Sequence, residues 1–188
     1  FRAAWDTRNF YVMIDAKDDK FRFYPEAFEH GRNNVLYQLD GCAELYFDTG
    51  ANALLKDTRG YDLDDYRYDF GQNRSGADGP GSVWRLREPA MQLMGALNMP
   101  TKEEAMRNVR CTFKRTPEGY RYTMIFPQRY LEPMKLEKGT RAGFAIFLHD
   151  RDDPKLPAGK KGLSSSTSQG SHCDYRPHLW PVMVLSRE

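Results

Sequence analysis

Alternation between apolar and polar positions recurs along the chain and predicts strands. In "RNFYVMIDAKD", Phe10, Val12, Ile14 and Ala16 alternate with Tyr11, Met13 and Asp15, a strand with one buried face that ends in the charged turn "KDDK". In "LDGCAELYFDTG", Ala43, Leu45 and Phe47 point to one side and Glu44, Tyr46 and Asp48 to the other. "DDYRYDFG" sets Tyr66 and Tyr68 against Arg67 and Asp69. "RCTFKR" and "YRYTMIF" flank "TPEG" and predict a hairpin. "AGFAIFLHD" is almost wholly apolar, the mark of a strand buried on both faces, and "WPVMVLS" predicts a last strand.

Helical signals are few. Thr101 and Glu104 in "TKEEAMRN" fit a capping box, which satisfies two otherwise unpaired backbone donors. "EPAMQLMGALN" admits a short helix, and "PQRYLEPM" a short helix or a loop. Residues 20–36 carry Phe21, Phe23, Tyr24 and Phe28 without a clean period, as expected of a loop packed on a core. "TGANALLKDTRG" reads as a turn-rich connection, and "GQNRSGADGPGS" and "RDDPKLPAGKKGLSSSTSQGS" as loops. Many short strands and few helices predict an all-β fold, an antiparallel β-sandwich of jelly-roll type with one or two short helices. No repeat or linker divides the 188 residues, so residues 1–188 are read as one domain with long loops near 71–110 and 151–171.

Composition narrows the function classes. The net charge of +2 is spread without a basic stripe, which argues against a nucleic-acid partner. No apolar run reaches membrane-spanning length. The chain opens at "FRAAWD", inside or just before a strand, which leaves room for a leader peptide upstream. Cys42, Cys111 and Cys173 form no CxxC pair; they admit at most one internal disulfide or serve as buried thiols. The 11 Tyr, 11 Phe and 3 Trp suit both a sheet core and a surface that stacks on flat ligands; Trp5 and Trp180, on or beside strand apolar faces, are expected in the core.

The sequence contains no GxSxG, HExxH, P-loop or GxGxxG signature. His172 and His178 flank Cys173, but the spacing is loose for zinc and further ligands are missing. Acids are numerous enough to imagine a glycosidase pair, yet strand and loop acids exposed to solvent explain them more simply. "DDPK" and "KDDK" are acidic turns of the kind that hold Ca²⁺ or merely face water, and no EF-hand loop is present.

Taken in order, "AAWDTRNFYVMIDAKDD", "LDGCAELYFD", "YDLDDYRYDF", "GYRYTMIFP", "RAGFAIFLHDRDD" and "YRPHLWPVMVL" resemble the strand motifs of the family 9 carbohydrate-binding modules, from about Phe1 to Leu185. The resemblance implies a sandwich that binds sugars without catalysis, one sugar held between two aromatic rings while polar side chains take its hydroxyls. Sugars suit this arrangement because their C–H faces stack on rings and their hydroxyls need paired donors and acceptors. Carried over by position, it implies Tyr37 and Tyr175 as the two rings, Glu44 as the main hydroxyl acceptor, Arg67 or Asp69 near the family's Arg, and His172 near an Asn. It implies Asp18 and Asp40 where members hold structural calcium. It further implies an extracellular or periplasmic accessory domain of a secreted bacterial protein, with a polysaccharide as ligand, no membrane contact, and other domains of a larger protein as neighbours.

The departures are specific. Both ring positions carry Tyr where the family has Trp, Phe147 stands where a polar ligand-binding residue is expected, Thr123 replaces a Glu, and one extra residue lies around Gly41 and Cys42. Tyr37 and Tyr175 equally suit rings that cap the sandwich ends. Two other functions stay open: a haem-binding electron-transfer domain of the related sandwich type, with His149 or His172 and a Met as axial ligands, and a structural sandwich without ligand.

Overall fold

The computed structural model describes residues 1–22, 40–53, 61, 64–73, 75–87, 100–153, 159–164 and 176–186. Tyr37, His172 and Tyr175 lie outside the described residues, as do Cys173, most of the aromatic run 20–36 and the "EPAMQLMGALN" stretch. The strands are β1 (Arg2–Trp5), β2 (Asn9–Lys17), β3 (Ala43–Asp48), β4 (Asp65–Gly71), β5 (Gly79–Pro80) and β6 (Ser82–Arg87), then β7 (Arg110–Thr116), β8 (Gly119–Pro127), β9 (Arg141–Asp150), β10 (Gly159–Ser164) and β11 (Val182–Val184). The helix α1 (Lys102–Asn108) precedes β7, and 3₁₀ turns span Gln128–Leu131 and Pro177–Leu179.

Among the described residues the strands form two sheets. One has the order β1-β2-β8-β7-β5; the other runs β10-β9-β3-β4-β6, with β11 paired to β9. Every pairing is antiparallel. The predicted antiparallel sandwich is therefore the observed fold.

Two regions differ from the sequence reading. The stretch from 71 to 110, expected as a long loop, holds β5 and β6, and the Ser-rich stretch from 151 to 171 holds the edge strand β10. Both β6 and β10 lack clean alternation: "SVWRLR" carries two Arg, and "GKKGLS" has two Gly and two Lys. An edge strand pairs through its backbone on one side only and tolerates such a sequence. Arg2–Trp5 also pairs fully with β2 as an edge strand.

The core lies between the sheets. Phe10, Val12 and Ile14 from β2 and Tyr122, Met124 and Phe126 from β8 meet Leu45, Phe47, Tyr68, Phe70 and Ile146 from the second sheet. Phe126 sits at its centre, with edge-on ring contacts to Phe47, Tyr68 and Phe70 at 5.4, 5.2 and 5.6 Å. Burying rings of this size contributes on the order of 2–3 kcal/mol each. Trp5 packs against this core as expected.

Local signals hold where their chemistry is short-range. The Thr101 hydroxyl accepts from the Glu104 N–H at 3.1 Å, and the Glu104 carboxylate accepts from the Thr101 N–H at 2.7 Å, completing the capping box. The "TPEG" turn joins β7 to β8; Gly119 has φ +149° and a Cβ there would lie 2.3 Å from the Ala16 carbonyl oxygen. Cys42 and Cys111 are buried thiols outside any disulfide, and burial pushes the Cys111 thiol pKa up.

Candidate functional site

The register of β3, β4, β6 and β9 decides what the outer face of the second sheet carries. Glu44 is opposite Asp69 on β4 and Phe147 on β9, and Tyr46 is opposite Arg67 and Ala145. Asp69 is in turn opposite Trp84 on β6. Because side chains alternate along each strand, Glu44, Tyr46, Arg67, Asp69, Trp84, Ala145, Phe147 and His149 share the face that points away from the sandwich core.

The acids on this face were expected as strand acids in water. Instead, Glu44 is 1 % exposed and Asp69 fully buried. Arg67 reconciles them. Its Nε and Nη2 donate to the two Asp69 oxygens at 2.8 and 2.9 Å, and Nη2 also donates to Glu44 Oε1 at 2.7 Å. His149 Nε2 lies 2.8 Å from the same Oε1 and donates to it, since a carboxylate only accepts. The Tyr46 hydroxyl donates to Oε2 at 2.9 Å.

The electrostatics follow from this geometry. Burial works against the Arg67 charge, but Asp69, Tyr46 and Glu44 outweigh it and hold the guanidinium protonated well above its ordinary range. Burial raises the Asp69 pKa to about 6; Arg67 opposes that rise and Glu44 reinforces it. Burial, then the Glu44 charge, drives the Tyr46 phenol far above its ordinary value.

An aromatic cluster adjoins the network. Tyr46, Phe147, Trp180 and Ala145 are packed together, with Tyr61 and Leu179 against them. The Trp180 ring lies 5.2 Å from that of Tyr46, Phe147 meets Tyr46 edge-on at 5.6 Å, and the Arg67 guanidinium stands 5.5 Å from the Tyr46 centroid. Trp180 is buried as expected, but in this outer cluster and not in the core between the sheets. Asp48, on the same face, ends β3 as a turn residue: it accepts from the Asn52 and Ala53 N–H groups, both at 3.2 Å. Gly143 opposite makes room, since a Cβ there would lie 2.9 Å from Asp48 Cβ.

The structure thus brings together two of the expected site residues, Glu44 and Arg67, and joins them to Asp69. It adds Tyr46 and His149, which bond to Glu44, and places Trp84 across from Asp69; the sequence reading did not single out any of the three for this site. Strand alternation places all three on the Glu44 face or its neighbours; the missing information was strand order. His149, considered above as a haem ligand, has its Nε2 engaged by Glu44.

The two expected metal residues part company. Asp40 accepts from the backbone N–H of Arg22 at 2.7 Å and of Arg151 at 3.0 Å, so both carboxylate oxygens anchor loops. Asp18 stands with Asp19 and Asp152, each offering an oxygen within 4.8 Å of the others. Burial, followed by the charges of Asp150, Asp152 and Asp19, raises the Asp18 pKa although backbone donation from Lys20 lowers it.

No family model matches the chain, and no curated protein does. Solved structures match in shape. A family 9 carbohydrate-binding module from Caldicellulosiruptor kristjanssonii in complex with cellotriose superposes with a TM-score of 0.64 at 16 % identity, covering 99 % of this chain and 73 % of that one. The same organism's family 9 module in complex with glucose gives a TM-score of 0.64 at 16 % identity, covering 100 % of this chain and 76 % of that one. The sandwich is therefore of the fold seen in these modules.

Proposed function

We propose that the chain binds carbohydrate at the outer face of its second sheet, around Glu44 and Arg67, without acting on it chemically. The observation that carries this reading is the Glu44–Arg67–Asp69 network: charged, buried, and set beside aromatic rings on a face the sandwich does not need for its core. Such groups cost desolvation, and departures of this kind from an apolar interior are expected at functional or strained sites. The fold shared with modules solved with glucose and cellotriose supports sugar as that ligand.

Calorimetric titration with glucose, cellotriose and soluble polysaccharides tests the reading. Binding is expected, and Glu44→Gln, which keeps the shape but removes the charge, should weaken it at least tenfold, about 1.4 kcal/mol. Absence of any heat or fluorescence change with the whole panel would end the proposal.

An accessory role in a secreted bacterial protein accompanies this reading. Among the described residues no helix is long and apolar enough to cross a membrane. Calcium is the cation whose chemistry suits Asp18, Asp19 and Asp152, three carboxylates gathered at one corner. Asp40, its oxygens already taken by backbone donors, suits the ion less well. Millimolar calcium should raise Tm, and Asp152→Asn should abolish the increase; an equal increase in the variant would remove calcium from this corner.

A further inference from the structure

The Glu44–Arg67–Asp69 network is closed on most sides. Tyr46, Phe147 and Trp180 are buried, and the oxygens of Asp69 are both taken by Arg67. β4, which carries Arg67 and Asp69, lies between β3, which carries Glu44, and β6. The Arg67 side chain retains 14 % exposure, and with Nε and Nη2 spent on Asp69 and Glu44, its Nη1 is left over.

Trp84 stands on β6, directly across from Asp69. Its residue is part-buried, and its indole Nε1 is buried without a hydrogen-bond partner. A buried indole N–H is normally paired, and one left alone costs stability. The strand beside it is also irregular: Arg67 pairs with Arg87 and Tyr68 with Arg85, so β6 carries an extra residue at Leu86. Bulges of this kind re-aim neighbouring side chains and are over-represented beside functional sites.

We infer that Trp84 is a ligand-contacting residue, its indole N–H and the Arg67 Nη1 together donating to oxygens of a saccharide that docks over β4 and β6. This rests on the carbohydrate-binding reading and adds to it a docking position and a donor pair. Both groups are donors and the nearby carboxylates are occupied, so the sugar atoms nearest Trp84 serve as acceptors. Hydroxyl and ring oxygens meet that requirement.

Titration of the whole chain with cellotriose and with glucose tests the inference, using Trp84→Phe, which keeps a ring and removes the N–H. A loss of roughly five- to tenfold in affinity is expected, with Tm of the ligand-free chain unchanged or higher because an unpaired donor has gone. The Trp84 indole N–H resonance in a ¹⁵N–¹H spectrum of the parent should shift on saturation with cellotriose, and this readout needs no variant. If the parent binds either sugar while its indole resonance stays fixed and Trp84→Phe binds equally well, the inference fails and the carbohydrate reading survives. If the parent binds no saccharide of the panel, both fail together.

Discussion

The two faces of the second sheet are both largely buried, and at the sheet's centre they are chemically opposite. On the inner face, Leu45, Phe47, Tyr68, Phe70 and Ile146 pack against the first sheet. The Tyr68 hydroxyl there finds a carbonyl, donating to Tyr130 at 2.7 Å. On the outer face, Glu44, Arg67 and Asp69 are almost as inaccessible, but what is buried is charge. The inner face obtains its stability from area removed from water, which needs no particular geometry. The outer face holds together only while every charge keeps its partner, because an ionised group in a dry site costs several kcal/mol. Burial alone therefore does not identify a core, and the two faces should fail in different ways.

The largest effect expected comes from breaking each face at its centre. Arg67→Met removes the hydrogen bonds that Arg67 gives to both Asp69 oxygens and to Glu44. It should cost about 3–5 kcal/mol in chemical denaturation. Phe126→Ala, in the inner core, should cost a similar amount, about 3–5 kcal/mol. The responses to rescue should differ. Adding Asp69→Leu to Arg67→Met should recover much of the loss, since apolar residues often replace a buried pair at little cost, whereas no polar partner exists whose removal rescues Phe126→Ala. If the double variant were no more stable than Arg67→Met alone, the outer face would be held by shape, as the inner one is.

The next effect separates the faces by pH. Asp69 has a folded pKa of about 6 against an ordinary value of 3.8, raised by burial. Between those values the folded chain holds a proton on Asp69 that the unfolded chain has released. This group therefore favours folding below about pH 4 and progressively less as pH rises through about 6. The resulting cost approaches about 3 kcal/mol at neutral pH, at about 1.4 kcal/mol for each tenfold difference in proton affinity between the folded and unfolded chain. Subtracting the stability–pH curve of Asp69→Asn from that of the parent isolates the component. A difference curve that is flat between about pH 4 and 6, or that rises with pH, would show that Arg67 outweighs burial at this site. Phe126→Ala should shift the parent curve without changing its slope.

The contrast between the faces also marks what the sequence could convey. Alternation in "AELYFD" and "DYRYDF" places Leu45 and Phe47 inward and Glu44 and Arg67 on their opposite faces, because side-chain direction follows from period two alone. It does not say which strands are neighbours. The meeting of Arg67 with Glu44 and of Asp69 with Trp84 depends on β4 lying between β3 and β6, and β6 has no alternation to announce it. His149 sits in a run that reads as apolar on both sides, so its role beside Glu44 is set by the β3–β9 register. Burial of the acids was illegible for the same reason: a carboxylate in a sequence suggests water until its guanidinium partner is in place.

The smallest effect concerns one oxygen atom. Tyr46→Phe leaves the ring contacts with Trp180 and Phe147 intact and removes only the hydroxyl that donates to Glu44 Oε2. Glu44 keeps Arg67 and His149 on Oε1, so the network should persist and the stability loss should be about 1–2 kcal/mol. Oε2 then accepts one donor fewer, and a ligand hydroxyl can supply the replacement. Affinity for cellotriose should hold or improve although the protein is less stable, a separation that truncation on the inner face does not produce. Calorimetry and thermal denaturation on the same sample measure both quantities. A tenfold loss of affinity would mean that the Tyr46 hydroxyl itself touches the sugar, and a stability loss above about 3 kcal/mol would mean that Glu44 is held chiefly by Tyr46 and that Arg67 serves Asp69 alone.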